Sequence, residues 1–161
     1  MTLMNLKLQQ FAEVMLGSDY PEFEAMLRDW DEPADVFIRF ADTKKRLAME
    51  DWTGECEDGE TAGVIDEMLV KHWNRRLDWD ADAYYHSVDA SKFSRGDHPQ
   101  LLFKALDEHL KTFSFRLVLF DIGGDCYYFG VLPKEEFDKV DGLSWEEYNV
   151  GSIDDQWEKN C

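Results

Sequence analysis

The chain has 161 residues, 44% of them hydrophobic and 14% aromatic, enough to bury a sizeable core and too apolar for a disordered composition. Its 35 Asp and Glu outnumber 17 Lys and Arg, giving a formal net charge of -18, and a surface this negative repels phosphate backbones and anionic lipid. Nucleic acid and membrane surfaces are therefore not expected partners, whereas a basic protein would be attracted, fastest at low salt.

The length fits a single domain over residues 1–161. Met1 to Phe11 carries Lys7 inside an amphipathic pattern, not a basic segment before an apolar run, so no signal peptide is expected. No apolar stretch approaches the ~20 residues of a membrane helix. Cys56, Cys126 and Cys161 are odd in number and lack CxxC spacing. They read as reduced thiols of a cytoplasmic protein, not a disulfide framework or a zinc site.

Leu8, Phe11, Ala12, Met15 and Leu16 form a helix-period stripe that Gly17 stops. Asp19-Tyr-Pro-Glu22 has the form of a helix start, with Asp19 as cap, and Phe23, Met26, Leu27 and Trp30 continue that helix's apolar face. Pro33 opens a third helix carrying Val36, Phe37, Phe40 and Ala41. Lys45 to Trp52 fits either an extension of that helix or a strand, and the Thr53-Gly54 break favours the strand. An acidic loop, Glu55 to Glu60, precedes an amphipathic helix with Val64, Ile65, Met68, Leu69, His72, Trp73 and Leu77 in phase. His72 on that face reads as a hydrogen-bonded boundary histidine rather than a ligand.

Asp89 to Gly96 reads as loop, and Asp97-His-Pro-Gln100 as a box-like cap opening a helix that buries Leu101, Leu102, Ala105, Leu106, His109, Leu110 and Phe113. Phe115 to Asp121 and Tyr127 to Leu132 flank Ile-Gly-Gly-Asp-Cys, a hairpin signal in which Gly123 and Gly124 supply positive φ. A turn centred on those glycines sets Asp121 opposite Cys126. Both faces of the hairpin are apolar, which makes it central in its sheet. Pro133-Lys-Glu-Glu-Phe137 starts a short helix, and Ser144-Trp-Glu-Glu147 and Ser152-Ile-Asp-Asp155 look like caps of two more.

Three segments carry candidate chemistry. Asp78, Asp80, Asp82 and Asp89 have the spacing of a calcium loop, but Ala83 stands where such a loop needs Gly and Asp89 where it needs Glu, so a solvated acidic face is the preferred reading. Asp121 and Asp125 flank the glycine turn beside Tyr127, where two carboxylates can divide acid and base roles, or can simply be turn residues. Asp51, Trp52, Gly54 and Glu55 set an aromatic residue among carboxylates, the composition of an anchor for a basic partner, or of a buried Trp followed by a loop. The chain has no nucleophile elbow, phosphate-binding glycine loop or HExxH, and no metal or cofactor is expected.

Asp51-Trp-Thr-Gly-Glu55, the Val64–Leu77 helix, Asp97-His-Pro-Gln-Leu-Leu, the Phe115 to Tyr127 hairpin and Val131-Leu-Pro together resemble an uncharacterised bacterial domain family with a DW-x-GE segment and a Gly-Gly-Asp hairpin. The resemblance runs from about Phe11 to Asp138 and implies a small α+β domain with no established activity. A looser likeness, in size, acidity and the Gly-Gly-Asp turn, is to acidic immunity proteins of bacterial toxin systems, including the SUKH type.

The expected fold is α+β: a small, mainly antiparallel sheet around a central hairpin, with the Val64–Leu77 and Leu101–Phe113 helices packed on it beside an N-terminal helical layer. Two function classes follow. One is a non-enzymatic, immunity-like protein that binds a basic partner through Asp51 to Glu60. The other is a small-molecule or hydrolytic site at Asp121, Gly123, Gly124, Asp125 and Tyr127.

Overall fold

A computed structural model describes residues 4–94 and 96–159; Cys161 lies outside them. The first helix, α1 (Leu6–Leu16), buries Leu8, Phe11, Ala12, Met15 and Leu16, the whole of the expected stripe, and ends at Gly17 with φ 52°. Next come α2 (Tyr20–Leu27) and α3 (Pro33–Thr43), each with a proline in its first turn. Of the apolar face expected on α2, Phe23 is buried, while Met26 and Trp30 lie on the surface. Asp19 makes no cap to α2. Its carboxylate instead holds the buried Arg46 guanidinium, Oδ2 accepting from Nε and Nη2 at 3.1 Å.

The chain then forms strand β1 (Ala48–Asp51), the strand alternative for Lys45 to Trp52, and helix α4 (Glu60–Trp73). Asn74, at φ 50°, closes α4 four residues before the expected limit. Leu77 is buried all the same, because Asp66 Oδ1 accepts its N–H and its carbonyl accepts from His109. After α5 (Ala81–Ser87) and a short 3-10 turn over residues 90–92, α6 (Asp97–Lys111) crosses the sheet. The box at its start lies three residues earlier than expected: Asp97 Oδ2 accepts from the N–H and hydroxyl of Ser94. Its buried stripe is Pro99, Leu102, Phe103, Leu106, Asp107 and Leu110, rotated from the face predicted.

Strands β2 (Phe115–Asp121) and β3 (Cys126–Pro133) form the hairpin, followed by α7 (Lys134–Val140), β4 (Ser144–Trp145), β5 (Tyr148–Gly151) and α8 (Ile153–Lys159). Ser144 begins a strand, not a helical turn: Trp145 pairs with Tyr148 across Glu146, which takes φ 51°. Ser152 does cap, its Oγ accepting from Asp155 N–H at 3.2 Å.

All pairings are antiparallel and the strand order is β1-β3-β2-β5-β4, so the hairpin is central. The chain is α+β. Helices cover both faces of the sheet, which explains why alternate residues of β2 are all apolar or half-buried. On one face Val118, Phe120 and Leu132 meet α1, α2, α3 and α7. On the other Leu117, Leu119, Phe129 and Val131 meet α4, α6 and α8. The first face is aromatic, with Phe11 against Phe37 and Phe120 at ring separations of 5.4 and 5.0 Å. Gly130 sets how near α1 can come. A Cβ there would stand 2.4 Å from both the Arg46 carbonyl oxygen and Met15 Cε. No helix among the described residues is long and apolar enough to cross a membrane.

Candidate functional site

The pairing of β1 with β3 brings the two strongest candidate segments together. Asp51 lies opposite Cys126, and Trp52 N–H donates to Asp125 O at 3.1 Å. Asp51 Oδ1 then accepts from Thr53 N–H and hydroxyl, and Gly54 N–H bonds back to Asp51 O, so the strand turns sharply. Gly54 takes φ 98° against the Pro99 ring, while the Trp52 ring lies over Gly96. The Asp51 to Gly54 segment thus clasps the start of α6. Trp52 stays 46% exposed, so the buried-Trp reading is overturned.

The hairpin register is one residue from expectation. Phe120 pairs with Tyr128, which leaves Ile122 to Asp125 outside the strands. The cause is Asp121, whose Oδ1 accepts Gly123 N–H at 2.8 Å and forms an Asx turn inside the loop. Gly123 has φ 82°, but Gly124 lies outside the left-handed region and a Cβ there would meet nothing within 4 Å. The turn needs one glycine, not two.

A cleft of about 340 Å³ opens at this corner, lined by Trp52, Asp121, Asp125, Tyr127 and Gln156 with the glycine loop. Gln156 also donates to Leu119 O, and Tyr127 accepts from Gln100 Nε2 at 3.2 Å. Asp125 is exposed and Asp121 half-buried.

Glu55 does not line that cleft. It lies in a neighbouring one of about 320 Å³ with Gly54, Tyr85 and His98. Both of its carboxylate oxygens are occupied: Oε2 accepts Thr61 N–H at 2.7 Å and Oε1 accepts from the Tyr85 hydroxyl, which itself accepts Gly59 N–H. Burial, and then the bond to Glu55, push the Tyr85 phenol well above its ordinary range. Glu60 Oε2 accepts Cys56 N–H. The acidic loop thus caps α4 through the Glu55 carboxylate and the Glu57 carbonyl, which accept the N–H groups of Thr61 and Glu60.

Glu50, beside these residues, is not among the candidates that motif and spacing single out. It is buried on β1 and accepts from the Thr61 hydroxyl. Burial raises its carboxyl above the ordinary range, and Glu55 and Glu60 add to the rise, against the bond from Thr61. Its visible signal was a Glu in the inward phase of a strand, next to Ala48.

The calcium-loop reading does not hold. Asp80 caps α5 through Ala83 N–H, Asp89 accepts from Ser91, and α5 fills the sequence between them. Among the described residues no group of three or more His, Cys, Asp or Glu is arranged to hold a metal. His72 is the boundary histidine expected, Nε2 lying 2.9 and 3.1 Å from the carbonyls of Lys44 and Lys45, with burial lowering its pKa. Cys56 is an exposed free thiol and Cys126 a half-buried one.

Comparison with curated proteins and with solved structures returns no match. The model of one family, described as a domain of unknown function (DUF6630), matches residues 2–146, and the chain belongs to that family.

Proposed function

We propose that this is a non-enzymatic, immunity-like interaction protein that binds a basic protein partner, with the Trp52 corner as its contact. One observation carries the reading: a large aromatic ring is 46% exposed on a backbone tied at both sides, in one cleft with the carboxylates of Asp121 and Asp125. A rigid aromatic anchor costs little entropy to bury, and an acidic surround favours cationic partners. The test is capture of a partner on the wild-type chain, then binding kinetics. Trp52→Ala should stay folded, with at most a modest fall in unfolding temperature for the lost contact over Gly96, and release the partner faster. Neutralising the exposed Glu57, Asp58 and Asp125 should slow association and flatten its salt dependence. Unchanged kinetics in both variants overturn the proposal.

The cleft supports a second reading, a small-molecule or hydrolytic site. Its volume of about 340 Å³ is that of a small ligand pocket, and Trp52, Tyr127 and Asp125 would select a compact cation. A thermal-shift screen of small amines and amino acids tests it. A shift that Tyr127→Phe and Asp125→Asn abolish supports this reading, and none across the screen removes it.

A further inference from the structure

On the opposite helical layer, the α2–α3 junction has unburied apolar side chains. Trp30 is 57% exposed and Met26 39% exposed, and with Val36 and Phe40 they line a groove of about 600 Å³. Glu22, Asp29, Asp31, Glu32 and Asp35 rim it against two cations, Arg39 and Lys44. Lys44 is already engaged, 2.9 Å from Glu22 and above the Phe40 ring. A second hollow, of about 480 Å³, shares Asp31, Glu32 and Asp35 and continues past the start of α3 to Tyr148 and Glu146. The two make one trough, open along the surface. The carboxyl groups of Glu32 and Asp35 crowd each other, their mutual hydrogen bond and like charge raising Glu32.

We propose that this trough is a docking surface for a basic amphipathic peptide segment of a partner protein. Charge complementarity decides the occupant. Apolar side chains of the segment would cover Trp30 and Met26, while its Lys or Arg residues would meet the rim and relieve the Glu32–Asp35 crowding. An acidic segment would add to that repulsion, and an uncharged one would leave the rim carboxylates unpaired. The proposal does not rest on the Trp52 reading.

The probe is a synthetic peptide of two Leu-Lys-Lys-Leu-Leu-Lys-Leu repeats, titrated into the full chain by calorimetry and by amide NMR. Two control peptides replace Lys by Glu, or Leu by Gly. The expected result is one saturable site whose shifts fall in α2 and α3. Affinity should drop about tenfold or more in the Met26→Ala/Trp30→Ala double variant, as loss of a hot spot does. Trp52→Ala should bind as wild type, and both control peptides should bind at least about tenfold more weakly. Wild-type affinity in the double variant, shifts centred on Trp52, or equal binding of the Gly peptide overturns the proposal. Self-association of the chain that the double variant abolishes also overturns it, since the occupant would then be a second copy.

Discussion

Two of the chain's carboxylate-rich stretches use their charge differently. From Glu50 to Glu60 most carboxylates are wiring: Glu50 is buried against Thr61, Asp51 closes a turn, and Glu55 and Glu60 bind N–H groups around the start of α4, while Glu57 and Asp58 stay exposed. Between Asp29 and Asp35 they rim a groove, and Glu32 is crowded by the like charge of Asp35. Equal acidity in the sequence therefore divides into charge the fold consumes and charge left on the surface. Mutation separates the two.

The extreme of the consumed class is Asp107, 1% exposed, which grips Arg116 through both oxygens at 3.1 Å and accepts Leu117 N–H. Asp107→Ala leaves a guanidinium and an N–H without their acceptor and should cost about 3–5 kcal/mol, read by urea unfolding. A cost below about 1 kcal/mol would mean that even buried carboxylates here are dispensable. Next is Glu55→Gln, where one of two donors, Thr61 N–H or the Tyr85 hydroxyl, meets an amide NH₂. A loss of about 1–3 kcal/mol is expected, and unchanged unfolding would return Glu55 to the class of free surface charge. Gly123→Val, at φ 82°, should cost about 1–3 kcal/mol, whereas Gly124→Ala should be near neutral; equal costs would contradict the one-glycine turn.

Glu50 gives a pH signature. Its folded carboxyl is raised, so between the unfolded value of about 4.3 and the folded one the native state holds more protons. Its contribution to stability is therefore greatest below that window and is lost as pH rises through it. Glu50→Gln should remove this fall while keeping an acceptor for Thr61, so the stability difference between variant and wild type should grow from acid to neutral pH. A constant difference refutes the assignment. The smallest effect belongs to the rim: Asp31→Asn with Glu32→Gln should leave the unfolding temperature unchanged or slightly higher, and a fall would show those carboxylates to be wiring after all.

The local periodic signals were legible. The α1 stripe and the apolar hairpin needed nothing but spacing, and both lie as their pattern requires. The misreadings share a cause, polar residues doing structural work. The α6 stripe is rotated because Asp107 sits within it, and Phe103 one turn earlier was the clue. The hairpin register shifted because the Asp121 side chain, not the glycine pair, shapes the turn. The β4–β5 hairpin hid behind Glu146 at positive φ, a turn without Gly or Asn. The two halves of the Trp52 corner were visible separately. Their meeting depends on β1 pairing across more than seventy residues of intervening chain, which no local pattern encodes.

The two outer strands limit how anything can attach. β1 has four residues, with the Glu50 side chain turned inward, and β4 has two. Neither offers an incoming strand a useful ladder of backbone groups, and an inward charge on an edge is a recognised deterrent to such pairing. A partner of the kind proposed would therefore be met through side chains instead of main chain. Its selectivity would be set residue by residue, and it would weaken with salt in a way that a backbone ladder would not.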